Sequence, residues 1–308
     1  MSTKKINVGG QAVIEGVMIK GPSHYTIAVR KGKRIITKKA ALRNNRYRFL
    51  KLPVFRGFAN LAEMTSIGIK SLMWSAEQAS GGKEKPGKGG IAFTVLVSIS
   101  LVVLFFIALP YILTSIIGFS EEANPFFFNF TDGIIRIAIF LIYVYSISLM
   151  KDVRVLFQYH GAEHKAIHCY EKGEKLNTGN VKKYTTLHPR CGTSFLLIVF
   201  ITSIILFSVL PLLLGLYYPG FSSLNPILRK GILFPVRILL IPPIAGISYE
   251  VLKISDKRQK SLLFKAISIP GLLLQKITTK EPNSRQIEVA IASLKKLLKI
   301  EKKFNAKH

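Results

Sequence analysis

Residues 91–119 read Ile91-Ala-Phe-Thr-Val-Leu-Val-Ser-Ile-Ser-Leu-Val-Val-Leu-Phe-Phe-Ile-Ala-Leu-Pro-Tyr-Ile-Leu-Thr-Ser-Ile-Ile-Gly-Phe119, a run without a charged side chain. At ~1.5 Å rise per residue, such a run covers a hydrocarbon core of ~30 Å with length to spare. It predicts a transmembrane helix, and that assignment decides the fold class. Three more segments qualify: Gly133–Met150, which carries Arg136, Phe195–Tyr218, and Gly231–Leu252, which carries Arg237 and Pro242-Pro243. The whole chain combines 49% hydrophobic residues with a net charge of +28 over 308 residues, an unusual mixture for a soluble domain. The two properties separate along the sequence. The expected fold is therefore a mainly α membrane protein of four transmembrane helices.

The basic residues fix an orientation. They crowd the first ninety residues, Lys151–Ser194 and the tail from Lys253, whereas the loop at Ser120-Glu121-Glu122 carries acid and no base. The loop Pro219–Asn225 is uncharged, with Arg229 and Lys230 only beyond it. Lys and Arg flanking short loops stay on the cytoplasmic side, so four spans place both termini and residues 151–194 in the cytoplasm. Met1–Ile14 has no basic region followed by an apolar run, so no cleaved signal peptide is expected. The positive surface suits the lipid bilayer and its anionic headgroups. Nucleic acid is the competing partner, but the charge is spread over three regions and no recognisable nucleic-acid-binding fold accompanies it.

Six regions follow. Residues 1–52 read as a small β-rich module. His24–Arg30 and Arg34–Lys38 flank Lys31-Gly32-Lys33 in a hairpin pattern. Ahead of it, Val8–Pro22 holds four glycines, read either as a glycine-punctuated strand at a domain edge or as a loop folded against an active site, with Glu15 its only acid. Residues 53–90 combine an amphipathic helix, suited to lie along the bilayer, with a Gly/Lys-rich linker from Ser80 to Gly90. Residues 91–150 and 195–252 hold the spans, with 151–194 a cytoplasmic loop between them. The basic region 253–308 contains a second amphipathic helix, about Arg285–Lys302, after the start signal Pro282-Asn283. Core packing, the membrane surface or a partner helix would each explain it.

Chemistry concentrates in the loop. Four of the six histidines and both cysteines lie between His160 and Cys191, and imidazole and thiolate are the usual ligands of zinc and similar ions. His160, His164 and His168 are spaced by four, which keeps them on one helical face. His160-x-x-Glu163-His164 has the order of the inverzincin metallopeptidases, in which the two histidines hold zinc and the glutamate is the general base. His168, Cys169, Glu171, His188 and Cys191 add donors, and Glu250, at the cytoplasmic end of the fourth span, is a further candidate ligand or base. A closed structural set such as His164, His168, Cys169 and Cys191 competes with an open catalytic one. A cysteine nucleophile beside a histidine is a third possibility.

On GGQAVIEGVMIKGP at Gly9–Pro22, YHGAEHKAIHCYE at Tyr159–Glu171, HPRCGTSF at His188–Phe195, AGISYE at Ala245–Glu250 and LLLQKITTKEPNSRQIEVAI at Leu272–Ile291, the chain bears a resemblance to the YqhQ family of bacterial membrane proteins. The resemblance implies a multi-spanning protein of the bacterial inner membrane with a metal-dependent activity, and it adds Glu15 and Arg190 to the pocket. The resulting expectation is a divalent metal, zinc by its ligands, held by His160 and His164 and completed from His168, His188, Cys191 or Glu250. Glu163 would activate water for hydrolysis of a membrane-associated substrate, with Glu15 and Arg190 beside it. The alternative is a non-catalytic scaffold with a structural zinc.

Overall fold

The computed structural model describes residues 5–42, 52–81, 88–119, 123–221, 223–258 and 261–306. Four strands, β1 (Gly9–Val13), β2 (Gly16–Lys20), β3 (His24–Lys31) and β4 (Arg34–Ala41), form an antiparallel meander in sequence order. Gly32, with φ 59°, makes the tight turn expected between β3 and β4. Val17, Met18 and Ile19 form an unbroken apolar run because both faces of the sheet are covered. Val17, Ile19 and Ala28 face one core. Met18, Ile27 and Val29 face another, against Ile67, Met64 and Trp74 of helix α1 (Phe55–Ala79).

Helix α1 turns mostly small residues, Gly57, Gly68, Ser71 and Ser75, toward the protein and leaves Phe55, Phe58, Ile69, Leu72 and Met73 exposed. Small residues let backbones approach: a Cβ on Gly246 would lie 2.3 Å from the Val54 carbonyl. The outward apolar face has the composition of a bilayer-contacting surface. Of the expected linker, residues 82–87 lie outside the described residues and Lys88–Gly90 is already helical.

Four helices are long and apolar enough to cross a membrane: Phe93–Ile116, Pro125–Ser148, Gly192–Tyr217 and Ile227–Ser255. The first joins α2 (Lys88–Val103) to α3 (Leu109–Ile116) through a π-helical turn at Leu104–Ala108, just before Pro110. Proline lacks the N–H that an α-helical ladder needs there, and widening the turn accommodates it. The second span, α4 (Pro125–Ser148), starts earlier than its sequence suggests. Arg136 pairs with Asp132 one turn away at 2.6 Å, and Arg237 donates to Asn129 at 2.6 Å, so each of these polar side chains has a partner inside the bundle. The acidic residues Glu121 and Glu122 lie outside the described residues. The third and fourth spans belong to α7 (Gly192–Tyr217) and α8 (Pro226–Lys257).

Residues 151–194, expected as a loop, fold mainly as α5 (Lys151–Lys172) and the short α6 (Thr178–Lys182). After the last span come α9 (Leu262–Thr278) and α10 (Ser284–Asn305), the latter opened by a reciprocal cap between Asn283 and Gln286. Ile287, Ile291, Leu294 and Leu297 of α10 share a core with Val17, Ile19 and Ala28 of the sheet and with Tyr159, Ala162 and Ala166 of α5. The amphipathic face of α10 is thus core. Segments before the first span, between the second and third, and after the fourth form one body. Two of the long apolar helices separate each of these segments from the next.

Candidate metal centre

Helix α5 carries His160, His164 and His168 on successive turns, and the rings of His160 and His164 are 4.4 Å apart between centroids. His160 Nδ1 lies 2.8 Å from the Thr278 carbonyl and His164 Nδ1 2.5 Å from the Thr186 carbonyl. A carbonyl only accepts, so both Nδ1 atoms carry the proton and both Nε2 atoms keep a lone pair. His160 Nε2 is 3.2 Å from Cys191 Sγ, and one donor atom from each of His160, His164 and Cys191 lies within 4.8 Å of the others. Burial lowers the His164 pKa, keeping the ring neutral as a ligand must be. Cys191 is the residue before α7, and its Sγ accepts the Thr193 N–H at 3.4 Å.

Glu163 is 3% exposed, with Oε2 3.8 Å from His164 Nε2. Burial raises its pKa against the opposing pull of His160, His188 and the Gly10 N–H, which donates to it. A Cβ on Gly10 would lie 2.9 Å from Glu163 Oε1 and 2.6 Å from the Met18 carbonyl, so only glycine lets β1 come this close. The glycine-rich run forms the edge strand β1 and its neighbour β2, and at Gly10 it packs against Glu163.

His168, Glu171 and His188 form a second group, again with donor atoms within 4.8 Å of one another. The His188 ring bridges the two groups, 4.4 Å from His168 and 5.6 Å from His164 between centroids. Here the lone pairs are largely spent. His168 Nε2 donates to the Leu187 carbonyl at 2.8 Å. His188 Nδ1 accepts the Arg190 N–H at 3.2 Å, so its Nε2 carries the proton facing Glu171 Oε2 at 3.3 Å. Arg190 grips the other carboxylate oxygen. Burial acts to raise the Glu171 pKa, but the His188 hydrogen bond and the charges of His188 and Arg190 leave it lowered. Arg190 therefore reaches Glu171 in the second group.

Glu250, expected as a ligand, joins neither group. The Arg56 guanidinium takes its carboxylate through two nitrogens, Nε at 2.5 Å, and ties α1 to α8. A two-pronged charged pair is a stronger claim on a carboxylate than a lone histidine offers. Cys169 also stands apart. Its fully buried sulfur faces the Glu174 and Lys175 carbonyls, and burial raises its pKa. The set His164, His168, Cys169 and Cys191 is not assembled. Glu15 accepts from the Tyr159 hydroxyl at 3.1 Å and lies outside both groups.

The sequence reading misses the supports. The Gln275 side chain accepts the His188 N–H at 2.8 Å and donates to its carbonyl at 2.9 Å and to Ser194 Oγ at 2.8 Å. One signal was available: a glutamine inside the apolar run of α9. The Thr186 and Thr278 carbonyls and the Gly10 N–H are backbone groups that carry no such signal.

A family model described as protein of unknown function (DUF1385) matches residues 52–300. The uncharacterized protein YqhQ of Bacillus subtilis (strain 168) is 33% identical over 309 residues, covering 95% of this chain and 92% of that protein. No solved structure matches the chain.

Proposed function

Because the chain belongs to the DUF1385 family, whose function is unknown, its activity has to be argued from the site, and we propose that it is a membrane-embedded metal-dependent hydrolase. His160 Nε2, His164 Nε2 and Cys191 Sγ would hold a divalent ion, zinc by this donor set. One observation carries the reading. Both histidines are locked by Nδ1–H bonds to backbone carbonyls, which leaves two Nε2 lone pairs and a sulfur together beside a buried carboxylate. Such outer hydrogen bonds orient and tune histidine ligands in metal sites.

Bound zinc would supply Lewis acidity to a water molecule and to the scissile carbonyl or phosphoryl group. Glu163 would accept a proton from that water. Its raised pKa suits a base that holds and then returns a proton, and the Gly10 N–H keeps the carboxylate in place. Three protein donors would leave a position for substrate, and Cys169, facing the Glu174 and Lys175 carbonyls, adds no fourth donor to this group. The second group serves as a brace, fixing the turn from Leu187 to Cys191 against α5.

Position suggests the substrate. Cys191 directly precedes a span, and α5 starts three residues after the last residue of another. The centre therefore lies close to the membrane boundary, which favours a membrane-associated substrate. The Lys and Arg bias supports a position on the cytoplasmic face of the inner membrane, where the basic surface would meet anionic headgroups. Elemental analysis of the purified protein tests the metal: about one zinc per chain is expected, lost in His164→Ala and Cys191→Ala. Glu163→Gln should keep the zinc and abolish hydrolysis of ester and amide reporters. Metal-free protein after zinc supplementation sinks the centre, and a fully active Glu163→Gln sinks the base.

A further inference from the structure

Three features that the metal centre leaves unused meet at one cleft. It has a volume of about 550 Å³ and is lined by Glu15, Arg30, Lys31, Tyr159, Arg285 and Gln286 among others. It shares no lining residue with either His group. The first feature is backbone strain. Glu15 has φ 53°, in the left-handed region that a residue with a side chain adopts only under strain. The adjacent Gly16 does not take that conformation. It is needed for another reason, since a Cβ there would lie 2.2 Å from the Ala28 carbonyl. The turn thus keeps a carboxylate where glycine would relieve the strain, and the carboxylate points at the cleft with Tyr159 donating to one oxygen.

The second feature is an unused donor. Arg30 bonds through Nη2 to Glu288 at 2.7 Å and to the Arg285 carbonyl at 2.8 Å, while its buried Nε–H has no partner among the described residues. A buried guanidinium donor left unmatched is costly unless something arrives to accept it. The third is charge. Lys31 and Arg285 are exposed on the cleft and make no ion pair among the described residues, so three cations face one carboxylate, Arg30 being already matched by Glu288. The lining asks for an anion with several acceptor oxygens and for one donor opposite Glu15.

We propose that this cleft binds a phosphate group, held by Lys31, Arg285 and the Arg30 Nε–H, on a ligand that also presents a hydroxyl or ammonium to Glu15. Phosphate offers the oxygens that cations and a fixed N–H can share. Two sources carry this chemistry. Gln78 and Ala79 end α1, and Val155 lies in the first turns of α5, soon after a span ends, so a phospholipid headgroup is within reach. A soluble phosphate monoester is the other.

The test uses the full chain in a maltoside detergent. Isothermal titration with sn-glycerol 3-phosphate probes the soluble source, and native mass spectrometry of retained phosphatidylglycerol probes the lipid. The comparison is with the double variant Lys31→Ala, Arg285→Ala, whose exposed side chains leave the fold intact by thermal unfolding. Glu15→Gln, smaller in its effect on packing, is the second variant. The double variant should weaken one of the two ligands by about tenfold or more, the size of one charge-assisted hydrogen bond, and Glu15→Gln should weaken the same ligand. Loss of lipid alone identifies a headgroup, and loss of glycerol phosphate alone identifies a soluble ester. Equal retention of both by wild type and variants, or binding of neither, overturns the proposal. Zinc content is unaffected in every outcome, so failure here is separable from failure of the metal centre.

Discussion

Glu163 is a buried carboxylate whose pKa the fold raises, so it costs the metal-free protein stability. The sign follows from linkage. The folded state holds this proton more tightly than the unfolded state, so folding weakens as pH rises from the ordinary carboxylate pKa of about 4.3 toward the raised folded value. Glu163→Gln has no proton to lose. In chelator-treated protein it should unfold at a higher temperature than wild type near neutral pH, and the gap should shrink as pH falls toward about 4.3. A gap that widens on acidification would mean that the carboxylate is stabilised as an anion. The neighbouring glycines give a second test. Gly10→Ala should cost about 1–3 kcal/mol, because its Cβ meets both the Met18 carbonyl and Glu163, whereas Gly9→Ala meets nothing within 4 Å and should be close to neutral. Matching thermal shifts for the two variants would contradict the close approach of β1 to Glu163.

At the scale of elements, the spans, the β3–β4 hairpin and the histidine face of α5 were legible because each is a local pattern: an apolar run, a glycine between β-formers, a spacing of four. What completes the site is not local. The carbonyl that fixes His160 comes from Thr278, 118 residues away, at the end of α9. It arrives there because Gly161 lets the following segment cross α5: the Lys280 N–H donates to the Phe157 carbonyl at 2.9 Å, and a Cβ on Gly161 would lie 2.2 Å from the Lys280 carbonyl. Glu250 misled for a related reason. Its partner Arg56 lies 194 residues earlier, in a helix whose approach depends on Gly57 and Gly246. Gly161→Ala should therefore push the segment after α9 off α5, lower stability by about 1–3 kcal/mol and weaken zinc retention, although residue 161 donates nothing to the metal. Calorimetry with elemental analysis checks it, and unchanged zinc affinity alongside lost stability would detach the Thr278 carbonyl from the site's function.

The whole molecule adds a constraint that no single element holds. The sheet precedes the first span, α5 lies between the second and third, and α10 follows the fourth, yet Ile19, Ala166 and Leu294 belong to one core. Segments that share a dry core cannot lie on opposite sides of a bilayer, so four crossing helices are expected to pair as two hairpins, 93–148 and 192–255. The Lys and Arg bias predicts that the shared body faces the cytoplasm. Two exposed positions read this out: Ser223, between the third and fourth spans, and Lys182, in the short helix after α5. In intact cells Ser223→Cys should react with a membrane-impermeant maleimide, while Lys182→Cys should react only after the membrane is opened. Labelling of both positions from the same side would break the hairpin arrangement and separate the sheet from α10. Reversed labelling would keep the hairpins but put the centre outside, where Cys169 and Cys191 would face oxidation and the metal reading would need a different compartment.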